Sequence, residues 1–377
     1  MPEPFKTFLD APLVHSAAAH LHRAWPAFDR DTFVARATQG LDALELKARA
    51  LQIADALAHT LPSDFCEAAA VLEAALASVE PDDNASGAAT RDDGLSGWIL
   101  WSAGEFVAQR GLAHPARALQ ALHAITQRFT AEFAIRPFLV THPEHTLRTL
   151  ATWVHDPSSH VRRLVSEGSR PRLPWGLQLK ALIADPSPTL PLLRALQDDP
   201  SAYVRRSVAN HLNDIAKDHP ALVAEWLETH LPSAGPARRA LLKHASRTLI
   251  KRGDARVLAA WGLGAAFRGS ATLSVTPRRA RVGDTVTLSL VLQGARTRQP
   301  QRLAIDYAVH HVKADGRTSP KVFKGWVCEL APAASRTFEK RHSLRPITTR
   351  RYYAGRHRVT VQVNGTEVAE ASFELRV

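Results

Sequence analysis

The sequence predicts two parts, an all-α HEAT-like helical solenoid over residues 1–268 and an all-β immunoglobulin-like sandwich over residues 271–377. Three observations predict them: a motif that recurs after 43 residues, a change in apolar spacing from three and four to two near Leu273, and a basic excess confined to the second part.

The motif Asp156-Pro157-Ser158-Ser159-His160-Val161-Arg162-Arg163-Leu164-Val165 returns as Asp199-Pro200-Ser201-Ala202-Tyr203-Val204-Arg205-Arg206-Ser207-Val208. A period of this length belongs to paired-helix arrays, in which each unit buries its apolar face on its neighbours. Asp-Pro suits a helix start, with Asp accepting from orphan amides as N-cap and Pro taking the first helical position. Val161, Leu164 and Val165, then Val204, Val208 and Leu212, mark one amphipathic helix in each copy. In such arrays the first arginine, Arg162 or Arg205, pairs with the Asp of its own or a neighbouring repeat. Arg163 and Arg206 lie about 100° further round the axis. They serve either a polyanion or a solvated face.

Helical periodicity over 41–57, 65–79, 98–109, 116–129 and 146–154 extends the array, with Trp98, Trp101, Trp226 and Trp261 read as packing. Residues 80–97 interrupt it with Pro81, Asp82, Asp83, Asn84, Gly87, Asp92, Asp93 and Gly94. Such a polar loop is either disordered or functional. Its carboxylates would repel a phosphate backbone.

From Leu273 the chain alternates with period two in seven short stretches, among them Val282–Leu292, Leu303–Val309 and His357–Val363, with Asp315-Gly316 and Asn364-Gly365 as turn signals. Seven strands in this length argue for an immunoglobulin-like sandwich. Residues 271–377 hold 19 Lys and Arg against 8 Asp and Glu, whereas the rest of the chain holds 29 against 28. Almost all of the net +12 therefore sits in the last third and points to nucleic acid or another anionic surface.

Cys66 and Cys328 fall in different parts and form no framework, and the opening Met1-Pro2-Glu3-Pro4-Phe5-Lys6 shows no apolar signal core. A reduced, cytoplasmic setting is expected. No run of 18 apolar residues exists to span a membrane. His142, His145, His155 and His160 follow no single helix face and match no metal-ligand spacing, so neither metal nor other cofactor is expected.

Glu132-Phe-Ala-Ile-Arg-Pro-Phe138, Trp153 with Asp156, the run His160–Trp175 and the run Tyr203–His219 resemble the HEAT-repeat alkylpurine DNA glycosylases, and among them the AlkC branch. The likeness spans roughly residues 1–265, and some members of that branch carry an added immunoglobulin-like domain. It implies hydrolysis of the N-glycosidic bond of cationic alkylated bases, chiefly 3-methyladenine and 3-methylcytosine, in double-stranded DNA. It also implies that the base is not turned out of the helix, in contrast to glycosylases with a closed nucleobase pocket.

Such a base leaves as a neutral molecule, so the difficult species is the oxocarbenium-like sugar. A carboxylate near C1′ would stabilise that cation and orient or deprotonate a water. Glu167 is the strongest candidate, at a helix end beside Gly168, where the chain can turn and approach DNA closely. The resemblance maps Glu132 and Glu167 onto active-site carboxylates, places Asp214 near them, and puts Trp175 beside the lesion. Trp153 is a second aromatic for the same role, since an indole face attracts a cation. Glu132 has a plainer alternative, pairing with Arg136 four residues on; Trp175 has one as core. Arg163, Arg170, Arg172, Arg206, Asn213 and Lys217 are expected to contact DNA, and Asn210 either joins them or forms an inter-repeat hydrogen bond.

These expectations describe a monomeric glycosylase whose helical array holds the duplex while the basic sandwich closes on it. A non-catalytic scaffold would account for the repeats and the charge, but not for Glu132, Glu167 and Trp175 occurring together. A strand-nicking lyase would need an activated amine, and the surroundings of Lys180 offer none.

Overall fold

The structure is a computed structural model that describes residues 5–79, 91–263, 265–296, 298–347 and 350–377. The described residues form sixteen α-helices followed by eight strands. They divide into two compact units, one running to Asp218 and including Ala234–Ala245, the other combining His219–Ser233 with Ser246–Val377.

In the first unit the two motif copies become helices Ser159–Gly168 and Ala202–Asp218, which pack on each other, and Pro236–Ala245 packs on the second. Val161, Leu164, Val165, Val204, Val208 and Leu212 are all fully buried at these contacts, as the spacing requires. The Asp-Pro openings work differently from the expected caps. Asp156 Oδ1 accepts from Ser158 N and Asp199 Oδ1 from Ser201 N, both at 2.8 Å, so each Asp closes a turn two residues ahead of itself and the helix starts after it. Arg162 makes the inter-repeat bond, donating from Nε and Nη2 to the two Asp199 oxygens at 2.6 and 3.1 Å. Arg205 donates instead to the carbonyls of Asp199 and Pro200 in its own repeat.

Trp101, Trp226 and Trp261 are core, while Trp98 is half-buried and stacks on Phe8 with centroids 5.4 Å apart. Of the polar loop, residues 80–90 lie outside the described residues. Asp93, in the part that is described, accepts from Ser78 N and Oγ and pairs with Arg91, so its charge is matched at home.

The second unit holds β1 (Gly269–Thr276), β2 (Arg279–Arg281), β3 (Thr285–Gly294), β4 (Gln301–Val312), β5 (Thr318–Leu330), β6 (Ser335–Ser343), β7 (Gly355–Val363) and β8 (Thr366–Arg376). One sheet has the order β1-β3-β6 and the other β2-β8-β7-β4-β5. Seven of these strands match the alternating stretches; the eighth, β2, is three residues long and too short to show a period. Leu288, Leu290, Ile305, Val309, Val359, Val361 and Phe373 fill the space between the sheets. At the β7–β8 turn Asn364 and Gly365 have φ of 49° and 81°.

Helices Pro220–His230, Arg247–Arg252 and Ala255–Ala260 belong to this unit, so the compact body begins well before residue 271. Asn364 Nδ2 donates to Ala265 O at 2.7 Å, and a Cβ on Gly365 would lie 2.5 Å from Gly253 Cα. The β7–β8 turn therefore lies against the Gly253 turn and the segment leading into β1.

Between the sheets lie His311 on β4, His342 on β6 and His357 on β7, all buried, with His311 ring centroids 5.6 Å from His357 and 6.4 Å from His342. Tyr307, Tyr352 and Arg350 surround them. Burial and then the Arg350 charge push His311 down to about 3 and His342 to about 4. In the unfolded chain histidines titrate near 6.5. Stability of this unit is therefore full above that pH and declines as pH falls from it toward the two lower values. Thermal unfolding at pH 5 should occur at least roughly 5 °C below that at pH 7, with His311→Phe reducing the difference; equal midpoints would contradict the account.

Candidate active site

The last turn of helix Ser159–Gly168 carries Glu167, and the long helix Ala202–Asp218 carries Asp214. Glu132 sits in the turn before helix Arg136–Thr141. Exposure of the three is 6, 1 and 9 % for Glu167, Asp214 and Glu132. Carboxylates this deep need cations, and basic side chains stand between them. Arg163 Nη1 is 2.5 Å from Glu132 Oε2 and its Nη2 is 3.8 Å from Glu167 Oε1. Arg170 donates from Nη1 to Glu167 Oε1 at 2.6 Å and from Nε to Asp214 Oδ2 at 2.8 Å. Lys217 Nζ donates to Asp214 Oδ1 at 2.7 Å and ends the chain of pairs at a partly exposed side chain.

Hydroxyls complete the network. Ser207 Oγ donates to Glu167 Oε2 at 2.6 Å, and Thr130 Oγ1 to Glu132 Oε2 at 2.7 Å. Both oxygens of Glu167 and of Asp214 are thus engaged, whereas Glu132 Oε1 has no hydrogen-bond partner among the described residues. Burial pushes the Glu167 carboxyl up, but the guanidiniums of Arg163 and Arg170 and the Ser207 hydroxyl outweigh it and hold the group below the usual 4.5. Burial would lower Arg163 and Arg170, yet Glu132 and Glu167 respectively lift them above their ordinary value. Beneath, His211 is fully buried against Ser166 O and pushed down to about 4 by that burial.

The structure therefore brings together Glu132, Glu167, Asp214, Arg163, Arg170 and Lys217. Arg163 and Arg170 direct their guanidiniums at carboxylates, and Arg172 pairs with Asp218 through Nε at 2.7 Å. Asn213 is 4 % exposed and faces the interior. Asn210 accepts from His244 Nε2 at 2.8 Å, the inter-repeat option. Glu132 pairs with Arg163 and not with Arg136, because it precedes the helix and no helical spacing relates the two. Trp153 is buried against the His123 ring, centroids 5.3 Å apart, and is packing.

Gly168 turns no corner: a Cβ there would meet Ile135 Cγ2 at 2.6 Å, so its purpose is close packing. Arg206 is exposed, with no ion pair or hydrogen bond among the described residues, beside a cleft of 240 Å³ lined also by Arg205 and His244. Trp175 is 71 % exposed with φ 63°, held out from the loop that follows the Glu167 helix.

Sequence reasoning missed Thr130, Ser207 and Tyr203, whose ring lies 5.3 Å from the Arg163 guanidinium. For Ser207 a signal existed. It replaces Leu164 in the second copy of the motif, a hydroxyl at a position the repeat makes apolar.

Residues 128–249 match the family described as DNA alkylation repair enzyme, and residues 269–377 match the C-terminal Ig-like domain of uncharacterised protein YhaZ. Uncharacterized protein YhaZ of Bacillus subtilis (strain 168) is 36% identical over 376 residues, 98% of this chain and 99% of that one. The solved structure of Pseudomonas fluorescens alkylpurine DNA glycosylase AlkC, bound to DNA containing an abasic site analog, has a TM-score of 0.89 and 36% identity over 100% of both chains. These likenesses place the chain among DNA alkylation repair enzymes. Within that class this chain belongs to the AlkC family, in the branch with the YhaZ-type Ig-like domain.

Removing the Ser207 hydroxyl takes away one bond to the Glu167 anion. In a carboxyl-detected NMR titration Glu167 should ionise below 4.5, and Ser207→Ala should raise its pKa by about one unit. A value that does not move would show that the hydroxyl plays no part in holding the charge.

Proposed function

We propose that this chain is a monofunctional DNA glycosylase that releases cationic alkylated bases, 3-methyladenine and 3-methylcytosine, from double-stranded DNA without turning the base out of the helix. The observation that carries the reading is the network joining Glu132, Glu167 and Asp214 through Arg163 and Arg170. Its full-length likeness to a glycosylase bound to abasic DNA supports the same reaction.

The chemistry follows from charge. Breaking the C1′–N bond sends both electrons to the base, which leaves neutral, and positive charge appears on the deoxyribose. Glu167, ionised at neutral pH, stabilises that charge with an orientation fixed before the reaction begins. Water then attacks C1′, and its proton passes to Glu132 through Oε1, the oxygen that has no protein partner. An abasic site remains, with no covalent enzyme intermediate. Trp175 offers an indole face to the cationic base, an attraction of about 0.5–2 kcal/mol that a neutral base does not share. Arg206 and the basic residues of 271–377 supply phosphate contacts. No group of three or more His, Cys, Asp or Glu side chains among the described residues is placed to hold a metal ion, and no helix among them is long and apolar enough to cross a membrane.

Methylated duplex DNA incubated with the enzyme should release free 3-methyladenine and 3-methylcytosine and leave alkali-labile sites without prior nicking. Glu132→Gln and Glu167→Gln should each lower the single-turnover rate by a factor of about 10² or more while DNA affinity stays within about fivefold. Arg206→Ala should leave chemistry intact, weaken binding and reduce the salt slope by about one. Full activity in both glutamine variants would overturn the carboxylate mechanism, and absence of released base would return the scaffold reading.

A further inference from the structure

The loop that lifts Trp175 above the end of the Glu167 helix is closed from beneath by one side chain. Arg136 is 0 % exposed and bonded to no carboxylate. Its Nε donates to Leu177 O at 2.5 Å and its Nη1 to Gly168 O at 2.8 Å, while Nη2 has no hydrogen-bond partner among the described residues. Those two carbonyls bracket the loop: Gly168 ends the helix that carries Glu167, and Leu177 lies two residues beyond Trp175.

The loop meets this guanidinium at both of its ends. A Cβ on Gly176 would fall 3.3 Å from Arg136 Nε and 3.1 Å from Leu173 Cδ2, and one on Gly168 would collide with Ile135 next door. Gly176 N donates to Leu173 O at 3.2 Å and Leu179 N to Pro171 O at 3.1 Å, so the loop also braces itself. Trp175 nonetheless holds a left-handed φ of 63°, unfavourable for a side chain of its size, and such a conformation persists only where the surroundings over-determine it.

Burying a guanidinium against carbonyls alone is costly, and burial together with Arg170 pushes Arg136 down to about 10. A position needing only volume would be met by Leu or Met. What a rigid planar guanidinium adds is two divergent donors, held at a fixed angle in one plane and aimed at backbone oxygens nine residues apart in the chain. We infer that Arg136 is a positioning residue for base excision, pinning both ends of the 168–177 loop so that Trp175 is presented in one fixed orientation relative to Glu167. The inference rests on the reading that Trp175 and Glu167 meet the lesion.

The test uses Arg136→Lys, which keeps the charge and loses the two donors fixed in one plane, in the full-length chain labelled with 5-fluorotryptophan, with the Trp175 resonance assigned from Trp175→Phe. The ¹⁹F resonance of Trp175 should move toward the free-indole position in Arg136→Lys while those of buried tryptophans stay put. Single-turnover excision should fall at least about tenfold with DNA affinity within about threefold. In the Trp175→Phe background the same change should cost less than about threefold, because both act on one step.

Additive losses in that cycle, or an unmoved Trp175 resonance, would overturn the inference. Should Arg136→Lys not fold, Gly176→Ala presses on the same guanidinium from the loop side and must shift the resonance and the rate alike; an unaffected Gly176→Ala would also overturn it. If wild type releases no base, the glycosylase reading fails, and the fluorine resonance still decides whether Arg136 holds the loop.

Discussion

Three carboxylates held almost out of water are the constraint on which the first unit depends. Glu132, Glu167 and Asp214 would repel one another strongly in a medium that screens poorly, so each must be met by a cation at hydrogen-bonding distance. Arg163 and Arg170 each bridge two of them, and Lys217 holds the free oxygen of Asp214. These bonds tie the end of one helix to the middle of the next and to the turn that carries Glu132. Charge compensation and helix packing are therefore one arrangement, and the site is formed when the array is formed.

The doubled arginines show how two neighbouring residues acquire different roles. Arg162 reaches the Asp199 carboxylate of the next repeat, while Arg163, rotated by about 100°, reaches backward to Glu132 and sideways toward Glu167. One arginine stacks the repeats and its neighbour builds the site. In the second copy the same rotation leaves Arg206 at the surface, where it makes no ion pair among the described residues. The exchange of Leu164 for Ser207 between copies then places a hydroxyl against Glu167, where the repeat would otherwise place a methyl group.

Much of this was legible in the sequence because periodicity reports which face of an element is buried. Val161, Val204 and Leu212 are core as their spacing demands, seven strands follow the alternating stretches, and Asn364-Gly365 forms the turn its residue types favour. Ion-pair partners were less legible. Arg163 and Glu132 lie 31 residues apart, and Arg170 and Asp214 lie 44 apart, so only the tertiary approach of the elements decides that they meet. In a chain with a large basic excess, Arg163, Arg170 and Arg172 read as phosphate contacts until a nearer anion is known. Arg136 carried no signal at all, because its partners are backbone carbonyls. Helices 247–260 are helical by pattern, yet they fall in the same compact unit as the strands.

The division of charge between interior and surface bears on the selectivity proposed for damaged bases. The Glu167 anion is already saturated by Arg163, Arg170 and Ser207, which keeps it ionised and immobile but reduces its field toward any one visitor. In the proposed reaction, recognition of a cationic base would fall more on the exposed Trp175, whose quadrupole distinguishes a charged ring from a neutral one. Proton transfer from water requires a carboxylate oxygen not already occupied, and among the three residues that is Glu132 Oε1. On this reading the two glutamates are not interchangeable: Glu167 contributes mainly to stabilising the sugar cation, and Glu132 mainly to activating the water that captures it.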